Sequence, residues 1–356
     1  MTDRSNKART ALEDVPKLIA QFRQSVLAAA FRGDLTADWR EKNPDVEPAL
    51  ELLERIKIDR RKRWEEACKI SKQNGSRQPK SDKKDSEDIE IKDLEVIPVT
   101  WCWEKLVNIA DLVGGVTKGR DFKGRTTIHV IYLRVANVQD GFLDLEEIKE
   151  IEVLPEDIDK YRLDYGDILF TEGGDRDKLG RGTIWRNEIE GCIHQNHVYR
   201  ARLYSSEILP EYISLATKTE YSKDYFFNNA SQTVNLASIN MTTLGKLPIA
   251  IPPIAEQKAI CDKVNKAFKI LDSLRSSYQL TIEEINQLDR SILAKAFRGE
   301  LVPQDPNDEP AAVLLDRIRA EREQTSTPKQ RGKTTSKNSS KQISIAYGRP
   351  EVNDLE

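Results

Sequence analysis

Between Ile254 and Gly299 apolar side chains return in alternating steps of four and three: Ile260, Val264, Ala267, Leu271, Leu274, Tyr278, Thr281, Ile285, Leu288 and Ile292. Held over four heptads, that spacing makes the narrow seam of a coiled coil, not the broader stripe of a helix on a globular core. Pro252 and Pro253 stand where a missing N–H costs a helix nothing, and Gly299 supplies the stop. At 1.5 Å per residue the helix is about 65 Å long, too long for one domain to bury. Such a rod needs a partner.

The partner's shape recurs near the start of the chain. Ser25–Leu35 (SVLAAAFRGDL) nearly repeats Ser291–Leu301 (SILAKAFRGEL), and Glu47 through Ile56 repeats Glu309 through Ile318. The seam recurs too, with Leu12, Val15, Ile19, Phe22 and Val26 in the places of Tyr278, Thr281, Ile285, Leu288 and Ile292. Two distant copies are a duplicated element, not a solenoid, which needs several short periods.

The pattern divides the chain into five stretches. Residues 1–69 form an N-terminal helical region, with one helix over 5–33 that Pro16 kinks or delays and a second over 49–68. Its Arg60–Arg63 cluster is a solvated face or a phosphate or partner contact. Residues 70–95, polar and free of aromatics, read as a linker. Residues 96–253 hold most of the aromatics and glycines. Short β-like runs cover 128–138, 167–171, 182–185, 197–203 and 246–251, with helices over 103–112 and 210–219. This is one mixed α/β domain large enough to bury its own core. Residues 254–322 are the long helix and a second helix, and 323–356 a disordered tail. The fold class is α+β: a mixed domain on helices paired as an antiparallel coiled coil.

Composition narrows the function. No apolar run of the 356 residues approaches a membrane span and Met1-Thr2-Asp3-Arg4 opens no signal peptide, so a cytoplasmic protein that meets no membrane is expected. Cys68, Cys102, Cys192 and Cys261 form no C-x-x-C, and Cys192–His197 lacks a fourth ligand, so no metal site is expected. A net charge of −3 gives no global nucleic-acid signal. Any such signal must be local.

Several patches offer one. Gly166–Gly182 runs from a strand into a Gly-rich, charged loop. There Thr171, Gly173, Gly174, Arg176, Lys178 and Arg181 suit phosphate or guanine, against the alternative of a hairpin with a solvated tip. Arg134, Asn137 and Gln139 have side chains that match G and A edges, though a buried Asn or Arg holding loops together fits equally. Gln195, Asn196 and His197, and Ser231, Gln232 and Asn235 in the polar stretch 228–236, are base or phosphate readers or plain capping loops. Lys118, Arg120, Lys123, Arg125 and Arg134 make a basic edge, five cations against one Asp, while residues 140–172 hold twelve acidic against three basic residues. That asymmetry suits a domain meeting DNA on one side.

The chain shows no catalytic motif. [DNS]-P-P-[YFW] fails because Ile254 follows Pro252-Pro253, G-x-G-x-x-G and the P-loop are absent, Leu154–Lys160 lacks the carboxylate-x-Lys spacing of a metal-dependent nuclease, and no Ser/His/Asp or Cys/His set is placed for nucleophilic work.

With these residues in view, the chain resembles a specificity subunit of a Type I restriction-modification system. The likeness rests on Ile251–Gln257 (IPPIAEQ), Ser291–Leu301, Ser25–Leu35 with Thr36–Arg40, Gly166–Thr171 and His194–His197. The resemblance implies a non-catalytic subunit whose recognition domain reads one half of a bipartite double-stranded DNA target. Its helices would set the spacing and dock modification subunits, which would bind S-adenosylmethionine and methylate adenine, while separate restriction subunits translocate and cut. This chain has one recognition domain where full-length members have two. A second specificity half is therefore expected, from another copy or, second, a complementing chain, meeting the seam left bare near Ile260–Leu274. The alternative from another class is a coiled-coil adaptor whose α/β domain binds a protein.

Overall fold

The computed structural model describes residues 2–75, 78, 94–174, 179–232, 237–303 and 305–325. They fall into two units, Met1–Gln287 and Leu288–Glu356.

The first unit begins with α1 (Thr2–Leu12) and α2 (Val15–Phe31). The single helix expected over 5–33 is broken at Glu13-Asp14, and Pro16 falls in the first turn of α2, where its missing N–H and fixed φ do no harm. Gly33, at φ +85°, turns the chain into α3 (Ala37–Lys42). A Cβ there would sit 2.5 Å from Pro98 Cγ, so glycine is required twice over. After α4 (Ala49–Gln73) comes the mixed domain, opening with β1 (Cys102–Lys105), α5 (Leu106–Ile109) and β2 (Ala110–Gly114). The expected helix over 103–112 is thus a strand, one helical turn and a strand: neighbouring strands claim its backbone. β1 pairs with β12 (Pro248–Ile251).

Between these lie β3 (Ile128–Leu133), β4 (Lys149–Val153), α6 (Pro155–Tyr161), β5 (Ile168–Thr171), β6 (Gly173–Gly174), β7 (Gly182–Ile184), β8 (Ile193–His194) and β9 (Val198–Leu203). They are followed by α7 (Pro210–Ala216), α8 (Glu220–Asn228), β10 (Ser231–Gln232), β11 (Ala237–Ser238) and α9 (Met241–Gly245). The central sheet is antiparallel, in the order β2-β9-β5-β7. Beside it run β4-β3-β8, with β3 and β8 parallel, and a small β10-β11-β6 sheet.

One core joins the N-terminal helices to this domain. Leu27, Ala30, Leu52, Leu53 and Ile56 are buried in the same cluster as Trp101, Leu106, Tyr212, Ile251, Ile260 and Val264. The joint is pinned where α10 (Ile254–Phe297) begins. Glu256 is fully buried and accepts from Thr36 Oγ1 (2.7 Å), Arg40 Nη1 (2.6 Å) and Trp101 Nε1 (2.8 Å). Gln257 accepts from Leu209 N (2.9 Å) and donates to Pro252 O (3.0 Å). The EQ after the paired prolines is therefore a polar rivet between α10, the N-terminal helices and the mixed domain. A buried charge stands only when its hydrogen bonds are complete.

α2 runs antiparallel beside α10. Lys263 meets Leu35 O and Asp38, Arg23 meets Asp272 and lies over Phe268, and Pro16, Ile19 and Ala20 face Arg275, Tyr278 and Gln279. The helix pair is the one the heptads require, but its seam is covered at the opposite end from the one expected. Ile260, Val264 and Leu271 are buried, whereas Leu274 is exposed and Tyr278 and Ile285 are half-buried. The domain core covers the stretch expected to be bare, which removes the ground for self-association there. At the end of α1 Leu12 is half-buried; on α2, Val26 is buried, Val15 and Ile19 are half-buried, and Phe22 is exposed to solvent, off the seam.

The second unit holds the end of α10, where Leu288 is exposed and Ile292 half-buried, and α11 (Ala311–Thr325). Most of the expected linker and nearly all of the tail lie outside the described residues.

Candidate nucleic-acid interface

Three segments predicted separately converge on the small sheet. β5 ends at Thr171, opposite Val198, and β6 continues past it to pair with β11 (Gly173↔Ser238, Gly174↔Ala237). β11 pairs in turn with β10 (Ser231↔Ser238, Gln232↔Ala237). Glu172 N donates to His197 O (3.0 Å) and Ile239 N to Glu172 O (2.8 Å), tying residues 195–197 to the same edge. The sheet carries exposed Ser231, half-buried Asn196 and Ser238, and exposed His197. His197 Nδ1 bonds Glu172, and Asn196 Nδ2 approaches His197 Nε2 at 3.2 Å. Glu172 and Ser238 are the members that residue type alone did not single out; their signal was position, each adjoining a stretch already suspected.

The glycines and Thr171 of the Gly-rich stretch have structural work. Thr171 is buried, with its N–H and hydroxyl both directed at Arg181 O (3.0 and 3.4 Å). A Cβ at Gly182 would lie 2.1 Å from Leu169 O, so this glycine serves strand approach. Arg181 is half-buried and its buried Nε has no hydrogen-bond partner among the described residues. Arg176, Lys178 and Asn235 lie outside the described residues, and Gln232 is placed by its backbone alone.

The second patch resolves differently. β3 ends at Leu133 and a short 3-10 turn covers Val135–Asn137, so the strand expected over 128–138 stops short of Arg134. Asn137 is buried. Its Oδ1 accepts from Arg134 N (2.9 Å) and its Nδ2 donates to Asp144 O (2.8 Å) and Glu147 O (3.0 Å). Arg134 donates to Glu147 O (2.8 Å), and Gln139 to Ala136 O (2.7 Å). Asn137 is therefore a loop pin and not a reader of base edges, because local carbonyls reach its amide first.

The basic edge is likewise no separate field. Arg120 pairs with Asp157 (2.6 Å) and Arg125 with Glu156, both at the start of α6, and Arg134 pairs with Glu147. A backbone N–H at the helix start and then Arg125 hold Glu156 below its ordinary carboxylate range. The acidic segment pairs with three of the five cations expected to face DNA. Lys118 and Lys123 remain exposed.

Beneath the sheet, His194 is buried. Its Nδ1 donates to Val198 O (2.7 Å), and its Nε2 has no hydrogen-bond partner. Burial, reinforced by Arg200 and Arg202, pushes its pKa down to about 4. Those arginines form a network invisible in the alternation of β9. Arg200 reaches Asp111 (3.1 Å), and Arg202 reaches Asp164 and Asp167 (2.7 Å each). Among the described residues no group of three or more His, Cys, Asp or Glu is placed to hold a metal ion, and no helix is long and apolar enough to cross a membrane. Burial raises the Cys192 thiol to about 12, well away from ligand chemistry.

A mixed domain with a loop-built polar edge, riveted to a long helix, has the architecture of a recognition module on a spacer. Residues 98–289 match the Type I restriction modification DNA specificity domain, and the chain belongs to that family. It is 26% identical over 328 residues to the EcoKI specificity subunit of Escherichia coli K12, covering 89% of this chain and 58% of that protein. It is 27% identical over 330 residues, with the same coverages, to the StySPI specificity subunit of Salmonella potsdam. Among solved structures, the HsdS subunit from Thermoanaerobacter tengcongensis is similar at a TM-score of 0.38 and 18% identity, covering 71% of this chain and 57% of that one. The chain thus spans about three fifths of the length of the curated relatives it matches.

Proposed function

We propose that this chain reads one part of a bipartite double-stranded DNA target within a Type I restriction-modification assembly and performs no chemistry itself. The observation that carries this reading is the convergence, inside the family's DNA specificity domain, of Asn196, His197, Ser231 and Ser238 on one loop-built edge. Hydrogen-bonding groups on such an edge are what base and phosphate contact requires. The paired helices act as the spacer and as the docking surface for modification subunits. Those subunits hold S-adenosylmethionine and transfer its methyl group to adenine, and restriction subunits translocate and cut. A rod of about 65 Å corresponds to roughly two turns of B-form DNA. A second specificity domain reads the other half-site, and the assembly works in the cytoplasm.

The test is co-expression with a modification subunit, followed by genome-wide mapping of methylated adenines. One recurrent interrupted sequence is expected. Purified complex should bind that sequence in preference to scrambled DNA, with a salt dependence reflecting several phosphates. Equal binding to both, or no methylation, would favour a protein-binding adaptor.

A further inference from the structure

The joint between α2 and the mixed domain holds a cavity of about 120 Å³ that shares no residue with the loop-built edge. Strand pairing closes its floor. Trp103 of β1 lies opposite Ala250 of β12, and Ile249, Ala250 and Ala216 are buried there. Three half-buried aromatic rings stand around this floor. Phe31 comes from α2, where it packs on Tyr212 with ring centroids 5.0 Å apart. Trp103 and Tyr221 stand together, centroids 5.7 Å apart and planes inclined at 49°. Tyr221 is fixed in the first turn of α8, whose cap Thr219 accepts from Ser222 N (3.2 Å). Among the described residues the charged members of the lining are both acidic, Glu95 and Glu220, and both exposed. Neither carboxylate has an ion pair or side-chain hydrogen bond with another described residue. Burial raises the Tyr221 hydroxyl to about 12, with Tyr225 and then the charge of Glu95 adding to the rise, which places Glu95 beside the same ring.

We propose that this cavity binds a compact alkylated ammonium ion, its methyl groups against Trp103 and Tyr221 and its charge balanced by Glu95 and Glu220. Aromatic ring faces carry the negative part of the ring quadrupole and attract a weakly hydrated cation. Two planes inclined at 49° make a wedge that a tetrahedral group fills, whereas a planar guanidinium lies flat on only one of them. The apolar floor of Ile249 and Ala250 favours methyl groups over a strongly hydrated ion. Two unpaired carboxylates repel anions and favour a positive charge over a neutral ligand of the same shape. Because the walls come from α2, β1, β12 and α8, an occupant touches the spacer helix and the domain at once. Binding to the folded chain alone then stabilises their joint by mass action.

The test needs no DNA, so its outcome is separate from that of the DNA-reading proposal. Full-length chain is titrated with choline chloride, replacing sodium chloride mole for mole, while tryptophan fluorescence is followed. A saturable change with a midpoint on the order of 1 mM is expected, the range open to a ligand of this size. The neutral isostere 3,3-dimethyl-1-butanol should bind about tenfold more weakly. Glu95→Gln with Glu220→Gln, both at exposed positions, should raise the midpoint about fivefold, and Tyr221→Leu about tenfold. Thermal unfolding gives a second readout that does not depend on the fluorescence of Trp103. Choline should raise the midpoint of wild type and of Trp103→Phe, which keeps an aromatic wall, and leave Tyr221→Leu unmoved. A peptide carrying trimethyl-lysine offers the same group. Tighter binding of choline assigns the site to a free small molecule, and tighter binding of the peptide to a modified side chain of a partner protein. No saturable signal, equal binding of the isostere, or a midpoint indifferent to loss of both carboxylates overturns the proposal.

Discussion

Two polar clusters in the first unit, the rivet at Glu256 and the edge around Asn196, use the same kinds of side chain to opposite ends. At the rivet a carboxylate with no exposed surface takes three donors from two segments far from it in the chain, Thr36 and Arg40 in one and Trp101 in the other. At the edge, Asn196, Ser231 and Ser238 keep hydrogen-bonding groups at the surface on a sheet only two residues long per strand. A buried group with every partner supplied specifies how the chain folds; an accessible group on a rigid frame can specify what the chain binds. Asn137, in the loop Arg134–Glu147, is a residue type of the edge with the satisfied geometry of the rivet.

Removing Glu256 should break this contrast most severely. Glu256→Ala leaves Thr36, Trp101 and the Arg40 guanidinium without their acceptor. Such a loss typically costs about 3–5 kcal/mol. A large drop in the urea midpoint is expected, with the N-terminal helices released; an unchanged midpoint would mean that packing alone holds the joint.

His194 sharpens the contrast through pH. Its folded pKa, about 4, lies below the ordinary value of 6.5, so the unfolded chain takes up its proton first as pH falls. The stability from neutral His194 is complete above pH 6.5 and is lost progressively down to about pH 4, on the order of 3 kcal/mol. In denaturation midpoints between pH 7 and 4, His194→Gln should flatten the profile relative to wild type. Parallel profiles would show that the imidazole is not what titrates.

Asn137→Ala should cost about 2 kcal/mol of stability, because Arg134 N, Asp144 O and Glu147 O lose their partner together. Sequence preference in methylation mapping should stay as it was. A changed recognition sequence at normal stability would return this loop to the interface.

What the residues revealed beforehand follows from the range of the forces involved. The heptads of α10, the repeat and the α+β class were legible because periodicity is local and survives any tertiary context. The covered end of the seam was not, since coverage of Ile260 and Val264 depends on a core that draws in residues more than 100 positions away, Leu27 and Leu106 among them. Runs of charge misled for the same reason. Arg120 and Asp157 are 37 residues apart in the chain and 2.6 Å apart in space, so part of the basic edge is tied up by the acidic flank. The convergence of residues 171–174, 195–197, 231–232 and 237–238 was half legible. Each stretch stood out by composition, but only strand pairing joins them.

The smallest expected effect tests the edge itself. Asn196→Ala and Ser231→Ala each remove a surface hydrogen-bonding group that supports no core contact, so denaturation midpoints should move by less than about 0.5 kcal/mol. If these side chains meet bases, each change should weaken binding of the mapped target by about 1 kcal/mol, roughly fivefold, in the complex with modification subunits. The loss should fall on cognate DNA and leave scrambled DNA unaffected, because phosphate contacts set affinity for both alike. A loss equal on the two DNAs would assign these residues to the phosphates. Unchanged binding of both would move the reading surface off this sheet, while the rivet, the loop pin and the family assignment stood as they are.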